Sequence, residues 1–195
     1  FGDRHRQKPD PDRRYDRIYI GGDYGQQNAT TFQAFGLDSY RKKFPGLGEY
    51  YHSGRETSKQ KSPSEYAKDL VEFMNNLHEL YDNRVFYIFL DPSAKGLAEE
   101  VRRATRTELD YQVILRDAEN DVALGISRVQ KALCFDIMSV SPKQENAVRE
   151  FGTYEYDKKS IEKGKEVPVK ESDHCMDAIR YVVMGVWKRL KHWLP

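Results

Sequence analysis

Val85-Phe86-Tyr87-Ile88-Phe89-Leu90, closed by Asp91-Pro92-Ser93, decides the fold class. An apolar run this short, set between Asn83 and Pro92, cannot make a helix of useful length. With no polar residue in alternation, both its faces must be covered, which places it as a central strand in a sheet flanked on both sides. Working outward, Ile18-Tyr19-Ile20 runs into Gly21-Gly22-Asp23 and predicts a strand over Arg17 to Tyr24. The Thr- and Phe-rich stretch from Ala29 to Leu37 predicts a second strand, joined to the first as a hairpin across a polar turn. Gly48 to Ser53 gives a third.

Ser62-Pro63-Ser64-Glu65 is a capping box with Pro at the first helical position. Tyr66, Leu70, Phe73, Leu77 and Leu80 then recur at helical spacing, ending near Tyr81. Beyond the central strand, Leu97, Ala98 and Val101 mark a helix, and Tyr111 to Leu115 a short strand. Asp121 caps a helix whose face is Val122, Ile126, Val129 and Leu133. Ile137 to Val140 reads as a strand, and Pro142 opens a short helix. An irregular basic stretch covers 153–170. The closing helix begins near Asp173 and runs past Trp187, with Met176, Ile179, Val183, Val186 and Leu190 facing the core. A leading meander, strand–helix alternation and a closing helix describe one α/β domain with a mixed central sheet flanked by helices.

Residues 1–14 carry no apolar period and include Pro9 and Pro11, so they read as a linker or N-terminal arm, with the domain at 15–195. The chain of 195 residues opens on Phe1 rather than Met, which we read as a piece cut from a longer protein. A hydrophobic fraction of 38% supports a core, and 32% charged residues make the surface very polar. No apolar stretch reaches the ~20 residues that span a bilayer. Cys134 and Cys175 have neither disulfide nor zinc spacing. Both fall in helical patterns, where a free Cys is a small core residue, and they suit a cytoplasmic setting. A net charge of +1 does not announce a nucleic-acid binder, but basic residues gather at both ends: six Lys/Arg against four Asp over 1–17, and five Lys against two Glu over 158–170.

The acids carry the chemistry. Asp23 and Asp91 each close an apolar strand, and strand ends in α/β folds form the crevice where ligands bind. Neighbouring strands lie about 4.8 Å apart, so these two carboxylates reach one pocket if their strands pair. Asp177 lies one turn after His174 on the closing helix and shares its face. Such a set suits two Mn²⁺ or Mg²⁺ ions, the imidazole tilting the choice toward Mn²⁺. Two such ions activate water and stabilise the leaving oxygen in phosphodiester hydrolysis. Each residue also has a plainer reading. Asp23 can make a turn, Asp91 can terminate a strand, and Asp173 is more naturally a helix N-cap than a ligand. Asp177 can face solvent, His174 can be structural, and Asp121 is read as a cap only.

Four segments together resemble the C-terminal nuclease domain of the large terminase subunit of tailed double-stranded DNA phages, a ribonuclease-H-like fold. They are Gly22-Asp23-Tyr24-Gly25, Phe89-Leu90-Asp91-Pro92-Ser93-Ala94, Glu119-Asn120-Asp121-Val122 through Gly125-Ile126, and Asp173-His174-Cys175-Met176-Asp177-Ala178-Ile179-Arg180-Tyr181. The last is the most specific. The resemblance implies a metal-dependent endonuclease that cuts double-stranded phage DNA concatemers during packaging. It implies acid ligands at Asp23, Asp91 and Asp177, with His174 beside the metals as ligand or proton carrier. Family members often have Asn where this chain has Asp173. The implied partners are an ATPase domain in the parent chain, the portal ring and the small terminase subunit; the implied setting is the host cytoplasm, transiently at the procapsid portal. No Gly-x-x-x-x-Gly-Lys-Ser/Thr loop is present, so this segment should cut DNA without translocating it. Phosphate contacts are expected from Arg55, Lys59 and Lys61 in one loop and Lys158, Lys159, Lys163 and Lys165 in another. Two other readings share these residues: a junction resolvase or transposase-like nuclease of the same fold, and a non-catalytic docking module of the packaging motor.

Overall fold

The computed structural model describes residues 1–25, 28–155, 157, 168–169 and 173–195. Six strands form one mixed sheet: β1 (Arg17–Asp23), β2 (Ala29–Leu37), β3 (Phe44–Ser53), β4 (Val85–Leu90), β5 (Gln112–Asp117) and β6 (Met138–Ser139). Their order across the sheet is β5-β4-β1-β2-β3-β6. β1, β2 and β3 form the antiparallel meander, and β4 and β5 run parallel to β1. The run that decided the fold class is indeed interior, paired on both edges. The third strand starts earlier than expected, at Phe44, because Pro45 and Phe44 pair with β6. The strand expected over Ile137 to Val140 is only two residues long.

One face of the sheet is covered by α2 (Pro63–Tyr81) and α3 (Lys95–Glu108), the other by α4 (Val122–Cys134), α5 (Glu145–Thr153) and α6 (His174–Leu190); α1 (Gly54–Thr57) is a single turn after β3. The capping box forms as read: Ser62 Oγ accepts from Glu65 N, and Glu65 accepts from Ser62 N at 2.7 Å. Asp121 caps α4 by accepting from Leu124 N at 2.9 Å. Cys175 is buried, but Cys134 is exposed at the last residue of α4, where the helix turns away from the core. Residues before Tyr15 lie along the domain. Phe1 stacks on Phe151, His5 is buried, and Arg13 forks onto Asp38 at 2.7 and 2.8 Å. Among the described residues, no helix is long and apolar enough to cross a membrane.

Pleating sorts the strands. Ile18, Ile20, Phe86, Ile88 and Leu90 pack under α2 and α3, while Tyr19 and Phe89 pack under α6. Period-two alternation therefore turns Gly21 and Asp23 of β1, and Asp91 after β4, toward α6. At Gly21 the helix comes down onto backbone: a Cβ there would lie 1.9 Å from Ala178 O. Gly185, further along α6, faces Phe89 in the same way, its Cβ position 2.3 Å from the ring. We expect Gly21→Ala to destabilise the domain by at least the ~1–3 kcal/mol typical of overpacking, since a helix carbonyl rather than a side-chain tip must move. Urea unfolding measures this; an unchanged midpoint would mean that α6 is not held against β1.

Candidate metal centre

Register brings the strand acids together. Gly22 of β1 pairs with Leu90 of β4 in parallel, so Asp23 and Asp91 are the next residues on neighbouring strands. A cavity of about 260 Å³ at these strand ends is lined by Asp23, Asp91, Asp173, Asp177, Asn120, Arg180 and Tyr181, among others. A larger one of about 530 Å³ beside it is lined by Asp23, Asp173, His174, Asp177 and Arg55. Acids from β1, from the end of β4 and from α6 thus share one cavity. Among the described residues, however, no three His, Cys, Asp or Glu side chains converge closely enough to hold an ion between them. Each carboxylate is turned to a protein partner instead.

Asp23 Oδ2 meets His174 Nδ1 at 2.7 Å. Burial pushes the Asp23 carboxyl above its usual range; His174 pulls it back, and Asp177 and Asp173 push it up. His174 is raised in turn by the bond to Asp23, against the opposing effect of burial. Asp91 Oδ1 accepts from Ser93 N at 2.8 Å in the turn that ends β4. Its Oδ2 accepts from Asn120 Nδ2 at 3.0 Å and Tyr181 Oη at 2.9 Å. Burial pushes Asp91 up, but Ser93, Tyr181 and Arg180 outweigh it and hold the carboxyl below its usual range. Asp177 Oδ1 accepts from Arg180 Nη2 at 2.7 Å and Nε at 3.2 Å.

Asp173 occupies the N-cap position of α6, and its carbonyl accepts from Asp177 N at 2.9 Å, but its side chain makes no capping bond. A carboxylate from elsewhere takes that part. Glu150, on α5 and only 1% exposed, accepts from Cys175 N at 2.7 Å and Met176 N at 3.2 Å through Oε2. These are two of the N–H groups that the first turn of a helix leaves unsatisfied. The start of α5 is held the same way, by Glu49 of β3 accepting from Asn146 N at 2.7 Å and Ala147 N at 3.1 Å.

Of the expected phosphate contacts, Arg55 is exposed on α1 and lines the larger cavity. Lys59 is exposed beyond that helix, and Lys61 is committed to an ion pair with Asp69 at 2.6 Å. Lys158, Lys159, Lys163 and Lys165, with most of the irregular stretch around them, lie outside the described residues. Asn120, Arg180 and Tyr181 hold the acids in roles that no sequence pattern signals, although all three lie inside the quoted segments. Glu150 had no signal, being one charged residue in a short helix.

A family model for the terminase RNase H-like domain matches residues 23–184. The chain belongs to this family. The terminase domain superposes on the large terminase of a thermophilic bacteriophage with a TM-score of 0.79 and 34% identity, covering 92% of this chain and 42% of that one. It therefore spans about two fifths of the length of that protein. The nuclease domain of the SPP1 large terminase, solved with bound Mn, has a TM-score of 0.56 at 20% identity over 87% of this chain and 86% of that one. A Mn-soaked human cytomegalovirus terminase nuclease domain gives 0.61 at 14% identity, over 89% of this chain and 83% of that one. At such identities the likeness shows the fold alone, which is RNase H-like as the sequence implied. No match was found among curated proteins.

Glu150 gives a testable sign. Burial pushes its carboxyl up to about 7 from 4.5, against the pull of the Cys175 and Met176 amides. Between those limits the native state keeps a proton that the unfolded chain has released. Stability from this group is therefore full below pH 4.5 and declines as pH rises to about 7, by about 3 kcal/mol in all. Glu150→Gln can accept the same two N–H groups without charge, so it should gain on the wild type as pH goes from 5 to 8. Urea unfolding of both proteins across that range decides it; parallel curves would refute the assignment.

Proposed function

We propose that the terminase domain is a divalent-metal-dependent endonuclease that cuts double-stranded DNA during genome packaging. The observation that carries this reading is the shared cavity of Asp23, Asp91 and Asp177, three carboxylates from three elements at the strand ends. Oxygen donors with one imidazole nearby suit Mn²⁺ or Mg²⁺. Asp23, Asp91 and Asp177 would hold two such ions, with His174 against Asp23. When bound, the ions supply Lewis acidity toward water and charge for the leaving oxygen. Asp23 is displaced upward chiefly by burial and further by Asp177 and Asp173, which supports the same reading, because a buried carboxylate beside like charges gains from added positive charge. The Mn in the SPP1 and cytomegalovirus structures supports it further.

The chain's own groups have separate tasks. Tyr181, Asn120 and Ser93 hold Asp91 ionised and oriented. His174, whose affinity for a proton Asp23 strengthens, would carry a proton within the site, its Nδ1 2.7 Å from Asp23 Oδ2. Arg55 sits on the rim of the larger cavity, where a phosphate backbone passing the acids would meet it. Binding through such contacts weakens steeply with salt. In the intact protein, an ATPase domain, the portal ring and the small terminase subunit would be the partners.

In a Mn²⁺-dependent plasmid cleavage assay, Asp91→Ala and Asp177→Ala should fall to background. That is beyond the ~10–100-fold loss typical of residues that only support a ligand. Circular dichroism should show both variants folded, and His174→Ala should retain a small residue of activity. Full metal-dependent cleavage by Asp177→Ala would remove the α6 carboxylate from the site. Wild-type protein that neither cleaves nor is stabilised by Mn²⁺ would sink the nuclease reading.

A further inference from the structure

Arg180 is a buried cation that neither the fold nor the ligand set requires. It is 2% exposed, and its aliphatic stem lies between α6 and α4 against Gly125. Among the described residues its Nη1 is buried with no hydrogen-bond partner, and its one ion pair is with Asp177, three residues earlier on the helix. Taking a guanidinium out of water costs several kcal/mol, and one partly exposed carboxylate, the ring of Tyr181 at 5.4 Å and the more distant charge of Asp91 repay this only in part. An apolar residue of that length would pack the same gap at lower cost. The placement is therefore better explained by a role at the acids than by stability.

The geometry of the fork says what. Both Nε and Nη2 reach the same oxygen of Asp177, Oδ1. No described residue donates to Oδ2, and Asp177 lines the cavity that Asp23 and Asp91 also line. A side chain free to rotate about two bonds is thus pinned by one oxygen, with the other left for a ligand. Supporting contacts of this kind tune ligand carboxylates in metal sites generally. Gly125 is the other half of the arrangement: a Cβ there would lie 3.2 Å from Arg180 Cδ and 3.3 Å from Nη1.

We infer that Arg180 is a positioning residue which fixes the Asp177 carboxylate for cation binding, and that Gly125 is small to make room for it. This rests on the metal-dependent reading above. The rival role has the opposite sign: an arginine standing in for the cation would compete with it, and its removal would tighten metal binding.

Calorimetric titration of Mn²⁺ into the metal-free domain separates the two without recourse to cleavage. Arg180→Met should bind Mn²⁺ roughly 10–100-fold more weakly than wild type. Gly125→Ala, which presses on the same guanidinium, should shift affinity in the same direction by less. Val186→Ala, a cavity in the same helix away from the acids, should lower the unfolding midpoint and leave Mn²⁺ affinity unchanged. Equal or tighter binding by Arg180→Met overturns the inference, as does an equal loss in Val186→Ala. If Arg180→Met does not fold, Gly125→Ala decides by the same criterion. Mn²⁺ binding by wild type that Asp177→Ala abolishes, with Arg180→Met unaffected, would remove this inference alone. No binding by wild type would remove the metal reading and this with it.

Discussion

The close seat of α6 on β1 is the constraint on which the rest depends. At Gly21 a helix carbonyl occupies the space a side chain would take. Helix and strand therefore approach nearer than ordinary packing permits, and the acids of α6 are lowered to the level of the strand ends. The pleat does the remaining work. Because Gly21 and Asp23 share a face, the contact that admits the helix also aims Asp23 at it. Any larger residue at Gly21 would meet the Ala178 carbonyl and force α6 away from β1.

Within that frame the site has an electrostatic problem. Asp23, Asp91, Asp173 and Asp177 line one small cavity near the start of a helix. The chain meets it by pairing each of three with a different kind of partner: an imidazole for Asp23, neutral donors for Asp91 and a guanidinium for Asp177. The partners differ in how readily they yield. Tyr181 and Asn120 occupy one oxygen of Asp91 and can share it, whereas His174 binds a proton more tightly because of its bond to Asp23. Asp23, which Asp177 and Asp173 crowd with like charge, thus holds a partner that its own carboxylate helps to keep protonated.

Much of this was legible in the residues. The uninterrupted apolar run at Val85 to Leu90 could only be an interior strand, and Ser62 to Glu65 could only begin a helix. Asp23 and Asp91 stood out because each ended such a strand. The sequence was silent where the chemistry depends on distant pairing. Nothing around Glu150 marks it as the cap of a helix that starts 24 positions later. Arg180 and Asn120 were visible as motif members but not as partners, because their roles need the packing of α4 on α6. Cys134 misled because helical periodicity cannot tell the last turn of a helix, where the chain leaves the core, from its middle. Asp173 does hold the N-cap position read for it, but that position fixes the backbone bond and not who supplies the side chain.

The borrowed caps have a consequence for cooperativity. A helix that caps itself can form its first turn alone, whereas α6 begins on a carboxylate supplied by α5, and α5 begins on one supplied by β3. The last strand of the meander, the short helix and the start of the long one are therefore linked in series. Loosening Glu49 releases α5, which withdraws Glu150, which frees the amides directly beside His174. The acidic cavity should accordingly open and close as one unit with the far strand of the meander, and not as an independently fraying loop.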